Sequence, residues 1–103
     1  MSWGVITDVA APVEVYDAVH ARVLDRTGGL ADGLLVHLAR PTGTGFQVVE
    51  VWESKDHCAR FEAEHVGPVL AEMSGTAGPP GDAPVTTEFG VRGLVVPRAR
   101  IAV

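Results

Sequence analysis

Three residues on two adjoining apolar runs could do proton chemistry. His37 stands in GLLVHLARP, and Glu50 and Trp52 stand at alternate positions of GFQVVEVWES. Alternate side chains of an extended chain leave the same face, so Glu50 and Trp52 project together. A carboxylate beside an imidazole fixes its tautomer and raises its basicity, which makes a general base, and an indole offers a wall for a flat substrate. Whether His37 joins them depends on the hairpin register. A loop of residues 42–45 puts His37 opposite Glu50 and all three side chains on one face. A loop of 42–44 puts it opposite Val49 and on the other face. The competing reading is a structural pair at a sheet edge or dimer interface, with Trp52 as core.

Two further histidines sit on helical patterns. His20 follows Tyr16 by one turn, and His65 follows Phe61 by one turn. Each lies on the apolar stripe of its segment, where a buried imidazole needs a hydrogen-bond partner or a polar cavity, since an unsatisfied group costs about 1–3 kcal/mol. They either point into a pocket or flank it half-exposed. Asp17-x-x-His20 and Glu62-x-x-His65 have the carboxylate–histidine spacing of di-iron sites, but such sites draw ligands from four helices and this chain offers two. No HExxH or CxxC spacing occurs. No metal and no cofactor are therefore expected. Cys58, near a helix start, reads as a small core residue rather than a stabilised thiolate. The GTG of the hairpin precedes no helix, so it is not a phosphate loop.

The elements that must position these residues follow from periodicity. WGVITDV (3–9) alternates as a strand. The segment from Pro12 to Gly28-Gly29 reads as a helix, with Pro12 in its first position, Glu14 in the first turn and a stripe of Tyr16, Val19, His20, Val23 and Leu24. Residues 33–40 and 46–53 flank PTGTG as a hairpin. Ser54 caps a second helix whose stripe is Cys58, Phe61, His65, Val69 and Met73, with a kink or break expected at Gly67-Pro68. Residues 74–84 read as a loop, and 85–96 as a last strand ended by Pro97. The order β-α-β-β-α-β predicts an α+β, ferredoxin-like fold in one domain spanning 1–103, a four-stranded antiparallel sheet with two helices on one face.

The bulk properties narrow the partners. A chain of 103 residues, 47% hydrophobic and 20% charged, suits a single globular domain. The net charge of −5, with no basic cluster before Arg98 and Arg100, argues against nucleic acid. One cysteine excludes an internal disulfide and fits a reducing cytoplasm. The N-terminal stretch carries no basic, apolar targeting pattern, so a cytoplasmic protein without membrane attachment is expected.

The strands are apolar on both faces. Leu34, Val36 and Leu38 oppose Leu35 and His37, while Val48 and Trp52 oppose Val49 and Val51. Two helices cover one face only, and a second copy laid sheet to sheet would remove several large side chains from water, each worth about 1.5–3 kcal/mol. A homodimer is expected.

The hairpin GLLVHLARPTGTGFQVVEVWES followed by FEAEHVGPVLAEM resembles the dimeric α+β barrel superfamily, within it the antibiotic biosynthesis monooxygenase-like proteins and their small bacterial members. The resemblance runs from Trp3 to about Pro97. It implies a homodimer with a substrate pocket in each subunit between sheet and helices. Some relatives oxidise polyketide-type aromatics with O₂ and neither metal nor flavin, and others degrade haem. The haem-degrading pattern needs a tryptophan and an iron-ligating histidine where this chain has Phe61 and Ala71, so haem degradation is disfavoured. The anthrone-oxidising pattern uses an asparagine, and the chain has none. Trp52 matches a recurrent position of the group.

Together these readings lead to a small-molecule-binding homodimer, a cofactor-independent monooxygenase on an aromatic substrate. His37 or His65 would act as base, with Tyr16, His20, Trp52 and Phe61 lining the substrate site. The alternative is a non-catalytic ligand-binding or dimerisation module, and an isomerase or decarboxylase in the same pocket is a third.

Overall fold

Alternation and capping place the elements. The computed structural model describes residues 2–74 and 84–95. Its order is β1 (Trp3–Val9), α1 (Val13–Thr27), β2 (Leu34–Pro41), β3 (Phe46–Trp52), α2 (Lys55–Phe61), a π-helical turn (Glu62–Val66), α3 (Gly67–Ser74) and β4 (Val85–Gly90). The strands form one antiparallel sheet ordered β2-β3-β1-β4. This is the expected α+β, ferredoxin-like arrangement.

Helix ends follow local chemistry. Pro12 sits just before α1 rather than in its first turn, with extended ψ of 145°, and its carbonyl accepts from Val15 N–H. Gly28 closes α1 in the left-handed region at φ 67°, where a side chain would clash with its own backbone. Ser54 caps α2, its hydroxyl accepting from His57 N–H at 3.2 Å.

Pro68 explains the wide turn between α2 and α3. It has no N–H to give the carbonyl of Glu64, four residues back, and its ring would strike that carbonyl. The backbone widens instead, so that Gly67 N–H reaches Glu62 O. The freed Glu64 carbonyl accepts from Arg26 Nη2 of α1 at 3.2 Å. The break expected at Gly67-Pro68 thus takes the form of a π turn.

The register is that of a 42–45 loop: Pro41 pairs with Phe46, Thr42 N–H donates to Gly45 O, and His37 stands opposite Glu50. Two further expectations need correction. A bulge between Leu34 and Val36 pairs Leu34 with Trp52, so Leu34 leaves the row of Val36 and Leu38. The last strand ends at Gly90, not 96, because Gly90 already faces Trp3 at the start of β1; one further bond, Val91 N–H to Ser2 O, ends the pairing. The loop assigned to 74–84 starts after Ser74, which ends α3; most of it, the end assigned to Pro97 and the basic tail at Arg98 and Arg100 lie outside the described residues.

Most buried residues lie between sheet and helices, namely Val5, Phe46, Trp52 (0% exposed), Cys58 and Val69 (2%), and Val51 is buried on the opposite sheet face. Helix α1 buries no residue fully, and Leu24 of its expected stripe is exposed, as is Met73 on α3. Tyr16 and His20 of α1 stack instead with His37 of β2. The opposite sheet face carries Ile6, Val36, Leu38, Val49, Val51 and Phe89 in adjacent register positions. There Leu38 is 47% exposed. Gly4 permits the Phe89 ring to lie across this face, since a Cβ at Gly4 would stand 2.2 Å from Phe89 Cζ. A polar end to the same face is made by Arg40 Nε donating to Gln47 and Gln47 Nε2 donating to Asp8.

Candidate active site

The helix-covered face holds one continuous hydrogen-bonded run. His37 on β2 donates Nδ1–H to Glu50 Oε2 on β3 at 2.6 Å. With its proton on Nδ1, the neutral imidazole accepts the Tyr16 hydroxyl at Nε2, 2.7 Å away. The Tyr16 oxygen is also 3.2 Å from Nδ1 of His20, one turn along α1. At the other end Glu50 Oε1 accepts from Trp52 Nε1 at 3.3 Å. His37 and Glu50 side chains are 23% and 16% exposed, so the run is sheltered yet reachable.

The three rings are stacked. The planes of His20 and His37 differ by 5° with centroids 5.4 Å apart, and Tyr16 lies within 18° of each. Phe46 tilts against Tyr16 at 5.6 Å. Farther along, Phe61 tilts against Trp52 at 5.5 Å, and His65 against Phe61 at 5.1 Å. The structure therefore brings Tyr16, His20, His37 and Trp52 together with Glu50 and sets His65 apart on the π turn. His65 Nδ1 accepts from Arg26 Nε at 3.3 Å, and its Nε2 is 3.9 Å from Glu64.

Burial and the Glu50 charge tune this region. The Tyr16 phenol is raised above its usual value, first by burial and then by Glu50 and Asp17, so it stays protonated at neutral pH. His20 is lowered, first by burial and then by His37, with Asp17 opposing, so it stays neutral. Cys58 is pushed up to about 12 by burial, Glu50 and Glu62, in keeping with a core thiol. The carboxyl of Glu62 is raised by burial and by Glu50, although the residue as a whole is exposed.

Glu50, Cys58 and Glu62 bring one sulfur and two carboxylate oxygens within 4.8 Å of one another, the group of described residues best placed to hold a metal ion. Both oxygens of Glu50 already accept hydrogen bonds, from His37 and Trp52. His20 and His65, the histidines of the two spaced carboxylate–histidine pairs, instead bond Tyr16 and Arg26. Ser54, His57 and Glu53 also line up, with Ser54 Oγ 2.7 Å from His57 Nδ1 and His57 Nε2 3.6 Å from Glu53. That cluster is a helix cap, because Ser54 Oγ also accepts from the His57 backbone.

The sequence reading missed the Tyr16–His37 bond and the part of Arg26. The first has no local signal, since 21 residues separate the partners. The second had one: a proline at 68 leaves the carbonyl of Glu64 in need of a donor.

The fold is an α+β, ferredoxin-like one that solved structures of distant sequence share. A Nitrosomonas europaea protein of unknown function superposes with a TM-score of 0.68 at 12% identity, over 94% of this chain and 95% of its own. A Caulobacter crescentus protein provisionally described as an antibiotic biosynthesis monooxygenase gives 0.65 at 17%, over 89% and 91%. The haem degrader MhuD of Mycobacterium tuberculosis, solved with two haems in its active site, gives 0.54 at 24%, over 91% and 99%. Likeness at these identities establishes a shared fold and leaves the chemistry to each chain's own residues. No family model and no curated protein sequence matches the chain. Among the described residues no helix is long and apolar enough to cross a membrane.

Proposed function

We propose that this protein is a homodimeric small-molecule-binding protein that acts as a cofactor-independent monooxygenase on an aromatic substrate with an acidic C–H group. The observation that carries the reading is the unbroken run from Glu50 through His37 and Tyr16 to His20, beside the Trp52 and Phe61 rings. An imidazole–carboxylate pair at 2.6 Å is a general base, and a protonated phenol is a donor for a developing oxyanion. Removing a proton from an activated CH₂ gives a carbanion that reacts with O₂ directly. One oxygen becomes the new carbonyl and the other leaves as water, so CH₂ + O₂ gives C=O + H₂O without a further reductant. Haem degradation is less well supported, since Ala71 supplies no imidazole where that pattern needs an iron ligand.

Oxygen uptake with a reduced anthrone-type substrate tests the reading. His37→Ala is expected to lower the rate about 10²–10⁴-fold, the usual worth of a positioned acid–base group. Equal rates in wild type and variant would remove His37 from the reaction. The dimer rests on the apolar row Ile6, Val36, Leu38 and Val49, on the sheet face away from the two helices and not fully buried in the single chain. Sedimentation at micromolar concentration is expected to give twice the chain mass, and Leu38→Glu to give one.

A specific observation favours the second reading, a non-catalytic ligand-binding module. Two clefts, of about 450 and 330 Å³, lie away from the run, one at Pro12 and Thr42–Gly45 and one between Arg22, Arg26 and Glu72. A ligand that raises thermal stability by mass action equally in wild type and His37→Ala would support it.

A further inference from the structure

We infer that the group meeting the substrate's acidic proton is His20, through Nε2, and that Tyr16 passes the resulting charge to the His37–Glu50 pair. This deepens the oxygenase reading and rests on it for the identity of the substrate. Both ring nitrogens of His37 are engaged, Nδ1 by Glu50 at 2.6 Å and Nε2 by Tyr16 at 2.7 Å. A base whose lone pair is already taken by a phenol cannot receive a proton from substrate without first losing that bond. The next group along is His20. Its Nδ1 faces the Tyr16 oxygen at 3.2 Å, and its Nε2 has no hydrogen-bond partner among the described residues.

The phenol has one proton and must point it one way. With His37 neutral, Tyr16 O–H donates to His37 Nε2, and His20 must carry its proton on Nδ1 to donate to the Tyr16 oxygen. That leaves the Nε2 lone pair of His20 open. When Nε2 takes a proton, the substrate bond breaks and its electron pair stays on carbon. The His20 Nδ1 proton then moves to the Tyr16 oxygen, and the Tyr16 proton moves to His37 Nε2. His20 and Tyr16 end neutral, and one positive charge rests on His37 against the Glu50 carboxylate. Every donor still has an acceptor, with the two bonds at Tyr16 reversed.

The surroundings favour this direction. His20 sits in partly dry surroundings beside His37, with only Asp17 acting to favour its charge. His37 has the carboxylate in direct contact. Charged and titratable neighbours of the run are Asp17 on α1, Glu50 on β3, Cys58 on α2 and Glu62 on the π turn. All are neutral or negative, and none opposes a cation on His37.

The scheme makes the tautomer of His20 a readout of the charge on His37. Two-bond ¹H–¹⁵N spectra of the full labelled chain, taken across a pH titration without substrate, read both. At high pH both His37 and His20 are expected with the proton on Nδ1. Where His37 carries the charge, neutral His20 is expected to have switched to the Nε2–H form, and in Tyr16→Phe the switch is expected to vanish while the fold is retained. A wild-type His20 that holds Nε2–H throughout, or that ignores His37, overturns the relay. So does a switch that persists in Tyr16→Phe. With a working substrate, Tyr16→Phe is expected to reduce kcat about 10²-fold with KM little changed. If wild type shows the switch but oxidises nothing, the relay stands and the oxygenase reading falls.

Discussion

Gly4 offers the sharpest test of the packing on the uncovered sheet face. In Gly4→Ala the new Cβ would sit 2.2, 2.3 and 2.7 Å from three carbons of the Phe89 ring, well inside contact distance. Backbone movement is blocked on both sides, since Gly4 is paired with Val51 and with Phe89 itself. The ring must swing away, giving up its cover over Gly4, or be held off its rotamer. Overpacking of this kind costs about 1–3 kcal/mol. For a domain of this size each kcal/mol lowers the melting temperature by about 4–8 °C, so a drop of roughly 5–20 °C is expected. Protein concentration must be held fixed, because any self-association would shift apparent stability. Phe89→Ala removes the clashing ring, so adding Gly4→Ala to it is expected to cost almost nothing more. A Gly4→Ala protein as stable as wild type, or a double variant whose losses simply add, would refute the argument.

Arg26→Ala is expected to cost about 0.5 kcal/mol in urea unfolding, the low end for a hydrogen bond, because this exposed Glu64 carbonyl can turn to water, and Pro68→Ala to restore much of it by returning a backbone donor. Glu62→Gln is expected to stabilise at neutral pH. The folded state raises this carboxyl, so Glu62 favours folding only below its ordinary value near 4.5 and opposes it as pH rises through the folded value; the gain should shrink below pH 4.5. The reverse holds at His20, lowered on folding: stability is expected to fall as pH drops below 6.5 towards the folded value, and His20→Gln to flatten that slope in thermal melts. Cys58, pushed up to about 12, is expected to resist a thiol reagent at pH 8 until the chain unfolds, and Glu50→Gln to speed its labelling.

The element order, the Ser54 cap and the Gly28 stop were legible because each rests on neighbours in sequence. The hairpin was legible up to a choice of two registers, and the pairing of Pro41 with Phe46 resolves it. The bulge at Leu34–Val36 was not legible, since an extra residue in an apolar run leaves the alternation looking intact. Nor was the early end of β4: Val91, Leu94 and Val95 look like strand residues, but pairing depends on what β1 still offers beyond Trp3. At the site, His37 beside Glu50 followed from register alone. The meeting of Tyr16 and His20 with His37 depended on how α1 is rotated and set over the sheet, which periodicity bounds only to a stripe. His65 lies on the same kind of stripe, yet the π turn and Arg26 hold it elsewhere.

Half of the run belongs to the sheet and half to a helix with no fully buried residue. The Tyr16–His37 bond is thus a seam between two bodies, one firmly held and one lightly docked. A flat ligand wedged against the stacked rings would draw α1 down and close that seam. Its arrival should register as slower amide exchange along residues 13–27, far more than along the strands.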